Sequence, residues 1–500
     1  MGDIGERRHG GGFHPAWWPE GGERTIDSRV PFVPGGGPGL PAPSVYDARE
    51  RALRGREMNF AAKRLVDMMF VSGLDEADAR ARLRWRGVMR SSGLDAMLDA
   101  TARKAAVAAA ADAGAIRIAA DAAARTVTVA WKDAAWGAPV VGRAVAPIGW
   151  GGIVTGDVEP AAVVRTPIPR AAPSGRAWPL GDDVAVPVAD AVLVRAVDRF
   201  FASSPGVYGL LVAAPDQVLF ERYGTGGAPD RVTPSWSMNK SMTGSLIGRM
   251  LHLGWLEDVH APAPAPAWRD PRGIHALVTL DHLLRMRSGL AMPCVDEAVT
   301  TLGFENAAVY HDAADAFAAA QASLVAVRPG AVFRYINAGI NVLAAIIRDR
   351  IERRGMAYQE TVYALLPDVL GMSSYRMSGD VAGNLIGSGS AFATLRDWSK
   401  LAVLYLRDGV WAGERLLPEG WVDYALGAMH GGTSYAATFW TNEDRRFPSL
   451  PPDAAWLSGA SDQRVFILRG ANRVVAVSNE TDVPMDLVAL DAVLGAVVSG

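Results

Sequence analysis

The strongest hydrophobic rhythm in the chain begins at Ser235. In SWSMNKSMTGSLIGRMLHLGWL, Met242, Leu246, Met250 and Leu253 recur every three or four residues, which predicts one buried helical stripe. FRYINAGINVLAAIIRDR, from Phe333, repeats the signal through Ile340, Leu343, Ala344 and Ile347. Strand patterns bracket this helical centre. VYGLLVAA (207–214) and QVLFERYG (217–224) flank Pro215-Asp216 and predict a hairpin; RVFILRG (464–470) and RVVAVSN (473–479), joined at Ala471-Asn472, predict a second. Helical patterns fill the interval to about 430, and another apolar helix follows the last strand in VPMDLVALDAVLGAVV. Early and late strands around a helical block predict an α+β fold (α/β sandwich-like). Its antiparallel β-sheet is flanked by helices, with an all-helical insertion domain at about 255–430.

Upstream the pattern is weaker. Residues 47–125 read as helical, on the apolar stripe of MNFAAKRLVDMMFVSG and the alanines of TARKAAVAAAADAGAIRIAADAAA. TVTVAW alternates like a strand, 143–157 reads as Gly-rich and irregular, and RTPIPRAAPSGRAWPLGDD (165–183) reads as a linker. Residues 2–43 hold 11 Gly and 7 Pro, which predicts an arm. The expected organisation is an arm at 1–45, an N-terminal extension at 46–187 and a main domain at 188–500. The pair Trp17–Trp18 suggests that the arm docks on the body or across a homo-oligomer interface, since two exposed indoles are costly.

Composition narrows the function. At 500 residues, 50% hydrophobic and 21% charged, the chain can bury a large core. A net charge of -3 offers no electrostatic basis for nucleic-acid binding. The single cysteine, Cys294, excludes an internal disulfide and a cysteine metal cluster, and no local cue makes it reactive. The expected partners are a small-molecule substrate, with no nucleic acid and no membrane, because no stretch of 18 apolar residues occurs. The start has no apolar h-region, so the cytoplasm is the expected location; a leader already removed would leave the same sequence. The eight histidines are scattered. His275 and His282, seven apart, could share a helix face, but no metal pattern or dinucleotide loop accompanies them, and no cofactor is expected.

The candidate chemistry sits at the starts of the two central helices. Ser237 and Lys240 are three apart, hence one turn apart on one face. A serine hydroxyl becomes a nucleophile when a neighbour takes its proton, and a lysine beside Met238 and Met242 is a poor candidate for a purely solvated one. Helix-start N–H groups also favour a developing oxyanion. Tyr335 and Asn337, two apart, share a face of extended chain. A tyrosine beside an ammonium can shuttle a proton, and an asparagine can bond both the lysine and a substrate carbonyl. Taken singly, each pair also fits a blander role: Ser237 or Asn337 as a helix cap, Tyr335 as a half-buried core residue.

Together these segments resemble the serine β-lactamase and penicillin-recognising superfamily, nearest to class C β-lactamase-like serine hydrolases, a branch that includes the 6-aminohexanoate-dimer hydrolases. S-M-N-K at 237–240 matches Ser-x-x-Lys and Y-I-N at 335–337 matches Tyr-x-Asn. LDHLLRMRSGL (280–290), LIGSGSAFATLRDWSKLAVLYLRDG (385–409) and FERYG (220–224) follow the branch in the same order. The resemblance covers about 205–480, and faintly 57–190. It implies that Ser237 is the acylated nucleophile, Lys240 its base partner, Tyr335 the general acid and base, and Asn337 an orienting residue. The Ser237 N–H would be one oxyanion donor. Placing Gln463 on the branch's usual Gln makes its N–H the second donor and puts Ala460, Ser461 and Asp462 where many members carry Lys-Thr-Gly. No cation then stands ready for a penicillin-type carboxylate, and Asp462 could instead meet a substrate amine or be a solvated turn residue. Ser461, Asp462, Tyr435 and Trp440 are the expected substrate-lining residues, with a core role equally open to Trp440.

The implied activity is a cofactor-free serine hydrolase acting through an acyl-enzyme on an amide of a small linear molecule. A carboxylesterase, a D-aminopeptidase-like peptidase and a non-catalytic scaffold of the same fold are the alternatives. Gly387 and Gly389 are expected to shape a loop beside the site, Thr394-x-x-Asp397 to cap a helix, and Asp281, Arg285 and Arg287 to be surface charges.

Overall fold

The computed structural model describes residues 43–83, 110, 114–132, 138–163, 165–170, 172, 174–185, 190–291, 314–427, 433–479 and 483–499. Residues 1–42 of the expected arm, with Trp17–Trp18, and Cys294 lie outside them. The chain divides into two compact units, Met1–Arg51 and Ala52–Gly500. In the first, residues 43–51 are helical. The second contains every sheet among the described residues.

The described helices are α1 (Pro43–Val66), α2 (Glu76–Arg82), α3 (Ala191–Ser203), α4 (Asn239–His252), α5 (Leu280–Leu284), α6 (Ala316–Gln321), α7 (Asn337–Glu352), α8 (Tyr358–Leu365), α9 (Leu395–Leu406), α10 (Trp421–Leu426) and α11 (Leu487–Ser499). A four-stranded antiparallel meander comes first: β1 (Ile116–Asp121), β2 (Thr126–Trp131), β3 (Val140–Val145) and β4 (Ile153–Val154). Then come β5 (Val207–Ala214), β6 (Gln217–Tyr223), β7 (Thr233–Pro234), β8 (Leu290–Ala291), β9 (Leu324–Val325), β10 (Arg376–Met377), β11 (Ala391–Ala393), β12 (Val410–Trp411), β13 (Glu414–Arg415), β14 (Trp440–Thr441), β15 (Ala455–Gly459), β16 (Gln463–Leu468) and β17 (Arg473–Asn479).

The principal sheet has the order β14-β15-β16-β17-β5-β6, antiparallel throughout, so the first hairpin meets the last at β5 and β17 as the sequence predicts. Its strands are covered on both faces. Leu210, Val212, Val475 and Val477 turn to one face, where Val197 and Phe200 of α3 and Leu490, Val493 and Leu494 of α11 meet them. Leu211, Ala213, Val474 and Ala476 turn to the other, toward Leu401 and Leu404 of α9 and Met242 and Leu246 of α4. This explains why the strands read as near-continuous apolar runs rather than alternating ones. The result is a mixed architecture of antiparallel sheets flanked by helices, with further helical segments inserted, as expected.

Three upstream expectations and one about the centre are corrected. The Ala-rich region does not stay helical to Arg125: IRIAAD forms β1, paired in full register with β2 from Ile116↔Trp131 to Asp121↔Thr126. Alternating burial against a β-prone neighbour outweighs the helix propensity of alanine here. The supposedly irregular 143–157 begins inside β3 and contains β4. The Pro-rich stretch 165–183 is packed, not free: Ile168 and Trp178 are buried, and Arg170 bridges to Asp368 at 2.5 Å. The centre is not purely helical, since β7, β11 and β10 form a small sheet of their own. Helix α1 lies on the meander, with Met58, Ala61, Ala62 and Leu65 against Val127, Val129 and Trp131.

Candidate active site

The approach to the first motif is an antiparallel rung. Pro234 of β7 pairs with Phe392 of β11, and Ser235 N donates to Ala391 O at 2.7 Å. The chain then turns sharply: Trp236 adopts a left-handed φ of 47°, Trp236–Met238 form a 3-10 turn, and α4 starts at Asn239. Ser237 thereby sits half-buried at the helix mouth, while Lys240, one turn on, is 1% exposed. Lys240 Nζ donates to Ser237 Oγ at 2.9 Å and to Ser388 O at 2.5 Å.

The second motif arrives from α7. Ile336 is extended, so Tyr335 projects before the helix, and the Lys240 ammonium lies 5.0 Å from the centre of the Tyr335 ring. The four residues of the two motifs therefore fall at the starts of two neighbouring helices, with Ser237 and Tyr335 beside Lys240. Asn337 is the first residue of α7 and is buried; the helix has no side-chain cap, so the capping role open to it is not the one it fills.

The glycine-rich loop completes the frame. Asn239 Nδ2 donates to the carbonyls of Ile386 and Gly387 at 3.0 and 3.3 Å, and Tyr375 Oη donates to Asn239 Oδ1 at 2.5 Å. Asn341 Oδ1 accepts from Ser388 N at 3.2 Å. Ser388 thus takes its orientation from α7 and lends its carbonyl to Lys240. Sequence reasoning assigned no role to Asn239, Tyr375, Asn341 or Ser388. The signal for Asn239 was present, as a polar side chain inside an otherwise apolar stripe.

The aromatic residues also gather here. Tyr335 meets Tyr435 edge-on at 5.8 Å and Trp440 at 5.6 Å, and Phe333 lies 5.5 Å from Tyr435. Tyr435 is 1% exposed, and its hydroxyl finds no hydrogen-bond partner among the described residues. Burial, and secondarily Tyr335, pushes its pKa well above the ordinary phenol value. Tyr435 thus packs in the core edge-on against the Tyr335 ring. Trp440 keeps partial exposure and pairs with Trp456 of β15.

The third segment differs from expectation. Ala460, Ser461 and Asp462 are not strand residues; they make the turn from β15 to β16, Ser461 and Asp462 with left-handed φ of 58° and 61°. Asp462 pairs with Arg464 at 2.8 Å rather than standing open to an amine. Gln463, expected to turn its N–H to the nucleophile, begins β16 opposite Gly459, and its side-chain amide donates to Asn479 O at 2.5 Å. The strand beside the Ser237 turn is β15: a Cβ added at Gly459 would stand 2.1 Å from Ser235 O. The Ser-Gly at 458–459 was the legible signal for this close approach.

Other candidates resolve structurally. His275 stacks on Trp268 at 4.8 Å, whereas His282 caps α5 by accepting from Thr279 N at 3.2 Å, so they share no helix face. Arg285 pairs with Asp281 at 2.9 Å. Thr394 caps α9, but the Asp397 carboxylate turns to Ser374 and Lys400 instead of closing a box. No three His, Cys, Asp or Glu side chains gather as metal ligands among the described residues. No helix there is long and apolar enough to cross a membrane.

The family described as Beta-lactamase matches residues 193–496, which include both motifs and the whole principal sheet. The chain belongs to that family. Among known proteins, the 6-aminohexanoate-dimer hydrolase of Paenarthrobacter ureafaciens is 26% identical over 256 residues, 49% of this chain and 62% of that protein. The chain therefore spans less than two thirds of the length of that curated relative. A Bacillus anthracis structure provisionally called a 6-aminohexanoate-dimer hydrolase has a TM-score of 0.51 at 18% identity, over 60% of this chain and 81% of the other. That likeness is one of fold. Membership places the protein among the serine-hydrolase-like proteins of this superfamily, which is consistent with hydrolysis of small substrates.

Proposed function

We propose that the protein is a serine hydrolase that cleaves an amide bond in a small linear substrate through an acyl-enzyme on Ser237. The observation that carries this reading is the contact of Lys240 Nζ with Ser237 Oγ at 2.9 Å, with the Tyr335 ring alongside. Ser237 Oγ attacks the carbonyl carbon as its proton passes to the Lys240–Tyr335 pair. The oxyanion is met by the Ser237 N–H and by a second main-chain N–H at the β15–β16 turn, which runs from Gly459 to Gln463. Collapse breaks the C–N bond, and Tyr335 returns the proton to the leaving amine. The resulting phenolate takes a proton from water as the water attacks the acyl carbonyl, and that proton passes to Ser237 Oγ as the ester bond breaks and the acid leaves. Asn337 orients the substrate amide.

Amide rather than ester is favoured by the named activity of the 26%-identical relative. Arg464, the guanidinium next to the turn, is buried and already paired with Asp462, so a substrate carboxylate is not drawn there. We further place the protein in the 6-aminohexanoate-dimer hydrolase-like branch, with 1–45, 46–187 and 188–500 as arm, extension and hydrolase domain. The test is a quenched reaction read by intact-protein and peptide mass spectrometry on a panel of linear amides and activated esters. An acyl mass on the peptide holding Ser237, absent in Ser237→Ala, is expected. Undiminished turnover by Ser237→Ala overturns the reading.

A further inference from the structure

Two adjacent residues of α1, well outside the region matched by the family, reach the supports of the two central site residues. Lys63 is nearly buried. Its ammonium pairs with Asp67 at 2.6 Å and donates to Ser378 Oγ at 3.0 Å. Asp67 Oδ1 in turn accepts from Gly152 N at 2.7 Å, which fixes the ion pair to the meander. Ser378 is the clasp of the glycine-rich loop: its N–H donates to Ser390 O at 2.8 Å and its carbonyl accepts from Ile386 N at 2.9 Å. Both ends of the segment that presents Ser388 O to Lys240 therefore close on one residue, and Lys63 holds that residue's side chain. The same ammonium lies 5.7 Å from the Phe392 ring, which pairs with Pro234 just before the nucleophile turn.

Arg64 points to the other side. Its guanidinium lies 5.5 Å from the Trp236 ring centre, and Trp236 packs on the core formed by α1 and the meander. Trp236 is the residue with left-handed φ immediately before Ser237. Its indole N–H has no hydrogen-bond partner among the described residues, so packing and the cation hold the ring. A non-glycine residue in that conformation persists where its surroundings over-determine it. Upstream, Arg231 Nη1 donates to Ser72 O at 2.9 Å, and Arg82 Nη1 donates to Tyr208 Oη at 2.9 Å, so the N-terminal segment follows the chain toward the turn.

We propose that Lys63 and Arg64 are positioning residues for catalysis, Lys63 setting Lys240 through Ser378 and the 386–390 loop, and Arg64 setting Ser237 through Trp236. The inference rests on the acyl-enzyme reading above. It makes the N-terminal segment part of the catalytic apparatus without contact to substrate.

The test is pre-steady-state acylation of the full chain by p-nitrophenyl acetate, with the adduct located by mass spectrometry and thermal melting measured alongside. Lys63→Met, Arg64→Met and Arg64→Lys are compared, together with Ser378→Ala, which removes only the hydroxyl that Lys63 holds. Expected is a ~10-fold fall in the acylation rate constant at unchanged KM for Arg64→Met and Ser378→Ala, the size of a small displacement of reacting groups. Arg64→Lys, which keeps the cation, regains most of the rate. If Lys63→Met fails to fold, Ser378→Ala decides the Lys63 arm. Folded Arg64→Met and Ser378→Ala proteins with wild-type rates overturn the inference while leaving the acyl-enzyme intact. A wild-type chain that is never acylated on Ser237 overturns both.

Discussion

Gly459 of β15 and Ser235, two residues before Ser237, are in backbone contact, with room for hydrogen alone between the glycine Cα and the serine carbonyl. The partner atom is main chain and cannot swing away. Gly459→Ala is therefore expected to destabilise the protein by about 1–3 kcal/mol and to slow acylation by displacing the turn at Trp236. Urea denaturation midpoints, with acylation followed on the same preparations, check both effects; a midpoint equal to wild type would show that the strand can retreat.

The two tyrosines at the site should separate cleanly. Tyr335→Phe keeps the ring over Lys240 but removes the proposed proton carrier, so acylation is expected to fall about 10²–10⁴-fold with little change in melting. Tyr435→Phe removes a buried hydroxyl that has no partner among the described residues. It is expected to leave stability unchanged or to raise it by about 1 kcal/mol. Paired stopped-flow traces and melting curves distinguish the roles.

Lys400 is fully buried, 2.9 Å from Asp182 and from Asp397, and donates to Gly371 O at 2.7 Å. Replacing it with Met strands Asp397 in the core, and a loss of about 3–5 kcal/mol is expected. The same experiment reports on the Pro-rich segment. Because Asp182 belongs to it, protease cleavage between residues 165 and 183 should rise in Lys400→Met.

The legible part of this protein was its strongly periodic part. The hairpins at 207–223 and 463–479, the helix carrying Ser237 and Lys240, and the second carrying Tyr335 and Asn337 all announced themselves through runs of apolar residues buried by many neighbours. What escaped was set by partners distant in sequence. IRIAAD looks helical until TVTVAW is placed beside it. Asp462 looks open until Arg464 is folded onto it. Gln463 was aligned through a turn whose left-handed residues, Ser461 and Asp462, carry no glycine to mark it. The loop at 386–390 could be suspected from its glycines, but its grip on Asn239 and Lys240 is a matter of carbonyl direction, which sequence does not encode locally.

His282 gives a pH-dependent prediction. Burial lowers its pKa below the ordinary histidine value, with the Arg287 charge acting the same way and Asp281 opposing, and its Nδ1 accepts from Thr279 N. The unfolded chain, with the ordinary value of about 6.5, takes up the proton first. The stability tied to the neutral ring is thus fully present above that pH and drains away as pH falls below it, toward the lower folded-state value. Melting temperatures of wild type should drop from pH 7.5 to 5 more steeply than those of His282→Gln, which keeps an acceptor for the cap without titrating. Parallel curves would remove His282 as the source.

The pairing of Val212 with Val475 joins the opening strand of the principal sheet to its closing one. During synthesis β5 must wait, with its backbone groups unsatisfied on one side, until nearly all the intervening chain has left the ribosome. The strand beside the Ser237 turn, β15, belongs to the same sheet, so on the proposed mechanism a chain that stops short of β17 is expected to be inert as well as sticky.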